Sequence, residues 1–216
     1  MSRGPMARGK FITLEGGEGA GKSTQARLLG AWLETKGIEV VLTREPGGTP
    51  GAEEIRNLLV TGAVGRWDPL TETLLHYAAR REHVARLILP ALEAGQWVIC
   101  DRFIDSTTAY QGYGQGIDLG VIAGLRETVL GDFVPDLTLI LDVVPETRRA
   151  RTAARPGAED RYERMTEAFH DRVRGGFHAI AAAEPNRCTV IVADQGVEAV
   201  SKAMQLVAAQ SLKIPD

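Results

Sequence analysis

Residues 16–23 read Gly-Gly-Glu-Gly-Ala-Gly-Lys-Ser and fill every position of G-x-x-x-x-G-K-[ST], a loop that cradles the phosphates of a nucleoside triphosphate. Gly16, Gly17, Gly19 and Gly21 let backbone amides close on phosphate without Cβ interference, while Glu18 and Ala20 occupy variable positions. Lys22 is placed to meet the β and γ oxygens as a point charge. Ser23 is placed to offer its hydroxyl to Mg²⁺, and Ser23-Thr24 open a helix whose unpaired amides face the anion.

Four other groups carry chemistry. Thr43-Arg44-Glu45-Pro46-Gly47-Gly48-Thr49 sets a guanidinium and a Gly-Gly backbone directly after an apolar run. A turn explains Pro46 and the glycines but leaves the basic residue at the strand end unexplained. Asp101-Arg102 closes another apolar run: Asp101 suits Mg²⁺, directly or through water, and the planar fork of Arg102 suits a second phosphate. The alternative there is a local ion pair that finishes the strand. Ser106, Thr107, Tyr110 and Gln111 gather hydroxyls and an amide of the kind that line a nucleobase or sugar, although surface helices carry them too.

Arg148, Arg151 and Arg155 share one helix face, and Arg149, Arg161 and Arg164 add to the density. Glu146 is the single acid between Pro145 and Ala158, and Pro156-Gly157 breaks the helix beside this face. The pattern predicts a mobile flap, about 146–161, that brings arginines to the charge developing on a transferred phosphoryl group and excludes water. A solvated basic patch is the competing reading. His76, in a helix with Tyr77 and Arg80, has no partners for a metal site.

Five β-rich runs must position these groups: Lys10–Glu15, Glu39–Arg44, Gln96–Asp101, Leu137–Asp142 and Thr189–Ala193. They alternate with helical patterns at Ser23–Thr35, Gly51–Leu59, Pro69–Arg81, His83–Glu93, Asp118–Leu130, Glu146–Arg155, Asp160–Ala183 and Val197–Leu212. The alternation predicts an α/β fold, a five-stranded parallel sheet with helices on both faces. Ligands of such sheets collect beyond the C-terminal strand ends, where the chemically dense residues fall.

With 216 residues the chain suits a single domain, read as 10–216, behind a short basic lead at 1–9 that is expected to fray and in which Met6 is an alternative start. A net charge of −3 gives no overall reason to bind nucleic acid or an anionic membrane, and no run is long enough to span a bilayer. Cys100 and Cys188 have no metal-ligand spacing with the four histidines and read as reduced, buried thiols in a cytoplasmic protein.

In their order, LEGGEGAGKST, TREPGGT, YAAR, DRFIDSTTAYQG and RRARTAAR…EDR resemble the thymidylate kinase family, over about residues 10–212. TREPGGT is the most specific element, and Glu18 in the loop with arginines in the flap resembles the bacterial variety. The resemblance implies a P-loop kinase fold and transfer of the γ-phosphoryl group of MgATP to dTMP. It implies that residues 16–24 hold ATP, with Asp194 and Gln195 beside adenine. Lys22, Arg102, Arg149, Arg151 and Arg155 would serve catalysis, and Ser23, Asp101 and, through water, Glu18 would serve the metal. The acceptor would meet Glu18 at its 3′-hydroxyl, Arg44 and Arg102 at its phosphate, Arg80 at a thymine carbonyl, and Thr107, Tyr110 and Gln111 around base and sugar. Where the family commonly stacks phenylalanine on thymine, this chain has His76, which predicts weaker or pH-sensitive dTMP binding. Family members generally form symmetric homodimers, for which the apolar faces of 69–81 and 118–130 are candidates.

An adenylate- or guanylate-type kinase would share the loop, sheet and flap. A GTP switch would need N-K-x-D and D-x-x-G, which the chain lacks, and a nucleic-acid motor would need a basic or aromatic strip.

Overall fold

A computed structural model describes residues 8–154 and 161–215. Its centre is a parallel sheet of β1 (Phe11–Glu15), β2 (Val40–Arg44), β3 (Trp97–Asp101), β4 (Leu137–Asp142) and β5 (Cys188–Val192), in the spatial order β2-β3-β1-β4-β5. β1 is buried along its whole length, as a central strand covered on both faces must be. Alternation sorts its side chains: Ile12 and Leu14 enter a core with Leu29, Leu33 and Met204, whereas Phe11 points the other way, toward Ile88, Leu92 and Phe103.

The first core lies under α1 (Lys22–Thr35) and α9 (Val197–Leu212). The second is covered by the helix that continues α3 (Pro69–His83), through a widened π-helical turn, Val84–Ile88, and α4 (Leu89–Glu93). Sequence periodicity anticipates helix here but not the widening. Pro90 has no N–H to return to the preceding turn, and the π turn ends just before it. A third core joins α8 (Glu167–Ala183) to a helical segment formed by α5 (Ile104–Thr107) and a second π turn, Thr108–Gly114. The remaining helices are α2 (Pro50–Val60), α6 (Leu119–Leu130) and α7 (Pro145–Ala153).

Two expectations need correction. The helix expected from residue 160 starts only at Glu167, because Thr166 caps it by accepting from the Phe169 amide at 3.2 Å, and Arg161 and Tyr162 turn inward before it. Arg8 and Gly9, expected to fray, are seated: Gly9 donates to the Leu92 carbonyl at 2.9 Å and the Arg8 guanidinium lies 5.7 Å from the Phe133 ring centroid. The rest of that lead, 1–7, and the Pro156-Gly157-Ala158 break lie outside the described residues.

Register completes the frame. Leu14 and Arg44 both pair with Asp101, and Glu15 pairs with Ile140, so the ends of β1, β2, β3 and β4 form one rim. Chain direction across the sheet reverses at β1, which opens a crevice at that rim.

Candidate active site

The phosphate loop turns out of β1 against β4. Gly16 has φ +128°, and a Cβ there would sit 2.3 Å from the Leu141 carbonyl oxygen, so the turn requires glycine. Lys22 folds back over the loop and donates to the carbonyls of Gly16 at 3.2 Å and Gly17 at 2.9 Å. Burial, reinforced by the Arg102 charge, lowers its pKa to about 8 against the pull of Asp101, Glu18 and Glu15. In the first turn of α1, Ser23 Oγ donates to Asp101 Oδ2 at 2.6 Å, joining the loop to the end of β3.

Arg102 adopts φ +73°, a left-handed conformation that costs a non-glycine residue about 1 kcal/mol. That backbone aims the side chain back across β1. Nη1 donates to the Gly16 carbonyl at 3.0 Å and to Ser106 Oγ at 3.2 Å; Nη2 donates to Glu18 Oε1 at 2.6 Å and to the Tyr110 hydroxyl at 3.1 Å. Tyr110 in turn donates to Glu18 at 2.9 Å. Burial alone would raise the Glu18 pKa, but the charges of Arg102 and Lys22 and the Tyr110 hydrogen bond bring it down to about 2. Glu15 is buried behind them and accepts from Ser106 Oγ at 2.5 Å and the Phe103 amide at 2.7 Å. Burial and nearby Asp105 raise its pKa to about 7.

The opposite wall is built by β2, α3 and the segment after β3. Arg44 pairs with Glu53 at 2.9 Å. Arg80 donates to Glu45 Oε2 at 2.7 Å, to Thr107 Oγ1 at 3.0 Å and to the Phe103 carbonyl at 2.9 Å. Gln111 Nε2 donates to Glu72 at 2.9 Å, and His76 Nε2 meets the Tyr162 hydroxyl at 2.9 Å. Burial, with the positive charges of Arg80 and Arg161, lowers the His76 pKa to about 3. This shift runs against the titration near neutral pH expected for the ring.

A cavity of about 310 Å³ brings the two walls together. Glu18, Gly19, Gly21, Lys22 and Ser23 line it from the loop, Asp101 and Arg102 from the sheet rim, and Arg44, His76, Arg80, Thr107, Tyr110 and Gln111 from the far side. Gly16 and Gly17 face a smaller cavity, Ala20 is buried in the core, and Thr24 lies in the first turn of α1.

Arg149 and Arg151, two of the arginines expected in a flap, do not line the larger cavity. Arg149 pairs with Glu146 at 3.1 Å and Glu167 at 3.4 Å. Arg151 spans from the loop to the end of β5, donating to the carbonyls of Ala193 at 2.9 Å, Gly19 at 3.5 Å and Gln195 at 3.5 Å. Asp194 accepts from the Val144 amide at 3.1 Å, which ties that loop to the start of α7. Arg155 lies outside the described residues.

The thymidylate kinase family model matches residues 14–204. The chain belongs to the thymidylate kinase family. It is 55% identical to the thymidylate kinase of Caulobacter vibrioides over 96% of this chain and 99% of that one. Against the thymidylate kinase of Gluconobacter oxydans it is again 55% identical, over 96% and 97% of the two chains. The crystal structure of thymidylate kinase from Ehrlichia chaffeensis superposes with a TM-score of 0.75 at 43% identity, covering 93% of this chain and 98% of that one.

Against that thymidylate kinase frame, several wall residues escaped the sequence reading. Arg56, Tyr162 and Glu163 line the cavity, and buried Glu45 and Glu72 hold its side chains. Arg56 gives no local signal, since an arginine in a surface helix is ordinary; only the fold turns α2 toward the rim. Glu45 was in view within TREPGGT, where a buried acid beside arginine-bearing elements was a usable cue.

Proposed function

We propose that this chain transfers the γ-phosphoryl group of ATP to the 5′-phosphate of dTMP, giving dTDP and ADP. The observation that carries the reading is the convergence of Lys22 and Arg102 on one cavity, where both charges act on Glu18. Phosphoryl transfer between two anions needs alignment and cationic screening, with little covalent work by the protein. The acceptor phosphate is already largely ionised at neutral pH, so no strong general base is required.

In this reading Gly16, Gly17, Gly19, Ala20, Gly21, Ser23 and Thr24 offer loop and helix amides to the ATP phosphates, and Lys22 follows the transferred group. Mg²⁺ fits Ser23 and Asp101, whose 2.6 Å contact brings two hard oxygen donors together, with Glu18 within reach through water; it would supply charge neutralisation across the phosphates. Among the described residues no group of three metal-ligating side chains occurs, so phosphates and water would have to complete the coordination. Arg44 and Arg102 hold the acceptor phosphate. Tyr110 and Glu18 bound the sugar, and Arg80, Thr107, Gln111 and His76 bound the base. The segment 146–161 acts as the flap of a single domain, with Arg149, Arg151 and Arg155 screening charge and Asp194-Gln195 beside adenine.

The enzyme is further proposed to work in the cytoplasm as a homodimer. Leu70 and Leu74 on α3 and Leu119 and Val121 on α6 are each more than 40% exposed on helices packed together. Among the described residues no helix is long and apolar enough to cross a membrane. Sedimentation at micromolar concentration should give twice the chain mass; a monomer there would remove the dimer. For the reaction itself, phosphorus NMR of chain, MgATP and dTMP should show dTDP and ADP rising together. ADP without dTDP would refute transfer.

A further inference from the structure

Glu45 is a buried carboxylate in the cavity wall whose two oxygens are both engaged within the protein, and the transfer chemistry makes no use of it. Its two oxygens are divided: Oε2 accepts from Arg80 Nε at 2.7 Å and Oε1 meets His83 Nδ1 at 3.0 Å. A carboxylate only accepts, so Nδ1 donates, leaving Nε2 to meet Thr43 Oγ1 at 2.7 Å. Glu45, Arg80 and His83 are each at least 96% buried. Burial of this kind is costly unless every donor is matched, and here the match runs across three elements.

The chain of contacts ends on Arg80. Its other bonds go to Thr107 Oγ1 and the Phe103 carbonyl, and its guanidinium lies 5.1 Å and 5.3 Å from the ring centroids of Tyr77 and Phe103. Three of five N–H groups are thus fixed by the protein, and the Nη edge at the cavity wall is held in one orientation. The loop is shaped around the same relay. Gly48 has φ +90°, and a Cβ there would lie 2.5 Å from His83 Nε2 and 2.6 Å from Thr43 Oγ1. The second glycine of TREPGGT therefore leaves room for His83 to reach Thr43.

From these contacts we infer that Glu45, backed by His83, is a positioning residue for acceptor-base recognition: it orients Arg80 and does not itself touch substrate. The inference rests on the base-contacting role proposed for Arg80, and the test separates the two. Glu45→Gln, Arg80→Gln and the double variant are compared for the KM of dTMP, the KM of ATP, kcat, and the inhibition constant of base-free 2-deoxyribose 5-phosphate. Glu45→Gln raises the dTMP KM about tenfold, the loss expected of a charge-assisted hydrogen bond, with the KM of ATP and the base-free inhibition constant unchanged. Added to Arg80→Gln, it raises the dTMP KM no further, since the two act as one unit.

If Arg80→Gln raises the dTMP KM and Glu45→Gln leaves it within twofold, the positioning role is wrong while the base role of Arg80 stands. Independent, multiplying effects overturn it equally. An unchanged dTMP KM in Arg80→Gln removes the base role and this inference with it. Should Glu45→Gln fail to fold, His83→Leu and His83→Asn decide: loss of the donor in the leucine variant raises the dTMP KM and the asparagine amide restores it. Equal KM values in those two variants overturn the role.

Discussion

Arg102 Nη2 and Glu18 Oε1 stand 2.6 Å apart, tying the end of β3 to the middle of the phosphate loop. Each is about 15% exposed, and both Nη groups already donate within the protein, so the guanidinium is held in place and a ligand meets it by exchanging for one of those bonds. A phosphate entering the cavity thus finds a fork already oriented, and Arg102→Ala removes charge and orientation together. The dTMP KM should rise roughly 30- to 150-fold, corresponding to ~2–3 kcal/mol for charge-assisted bonds. Lys22→Ala, by contrast, should lower kcat more than it raises either KM. Initial-rate kinetics of the two variants separate these effects, and equal KM and kcat changes in both would contradict the division of labour.

Lys22 with a pKa near 8 makes ATP capture pH-dependent. In the free enzyme the ammonium loses its proton as pH rises through about 8, and the triphosphate then meets a neutral amine. The kcat/KM for ATP, which reports free-enzyme ionisations, should fall above that pH. A flat profile to pH 9.5 would show that Lys22 keeps its charge.

His76 titrates only near pH 3, so base binding should ignore pH where an ordinary imidazole would not. Thymidine avoids the titrating phosphate of dTMP and isolates the base and sugar. Its dissociation constant should stay constant between about pH 5.5 and 8, a window spanning the reference imidazole value. A change of severalfold centred near 6.5 would restore the titrating histidine.

Glu72 is 1% exposed and accepts from Arg161, Tyr162, Gln111 and Gln115. Glu72→Ala leaves the Arg161 charge buried without its counterpart, a change that costs ~3–5 kcal/mol. Urea denaturation should show that loss in the midpoint at an unaltered slope. A loss below about 1 kcal/mol would mean that Arg161 finds another partner.

The loop between β1 and α1 was legible because its residues are consecutive: a strand, a glycine-rich turn and a helix start place Lys22 and Ser23 locally. Strand ends carrying Arg44 and Asp101 were legible for a similar reason, since a parallel sheet aligns them on one rim. The supporting shell was not. Arg187 clamps Asp105 through two bonds of 2.7 and 2.9 Å across 82 residues, and Glu72 meets Tyr162 across 90. Such buried pairs depend on packing geometry and leave no periodic trace. The helix α7 was readable from its sequence pattern, but Arg148 is an anchor, held by Glu167 at 2.6 Å, because the Thr166 cap brings Glu167 to the helix start.

The central claim is that thymidylate is the acceptor, and a competition panel tests it most directly. kcat/KM should be measured at fixed MgATP for dTMP, dUMP, AMP and GMP with product identified. The roles proposed for Arg80, Thr107 and Gln111 at the base and Tyr110 at the sugar predict dTMP as the best acceptor, with AMP and GMP at least 100-fold poorer, roughly the penalty of leaving buried polar groups unpaired. A preference for AMP or GMP would contradict the account of the acceptor wall while leaving the phosphate loop intact.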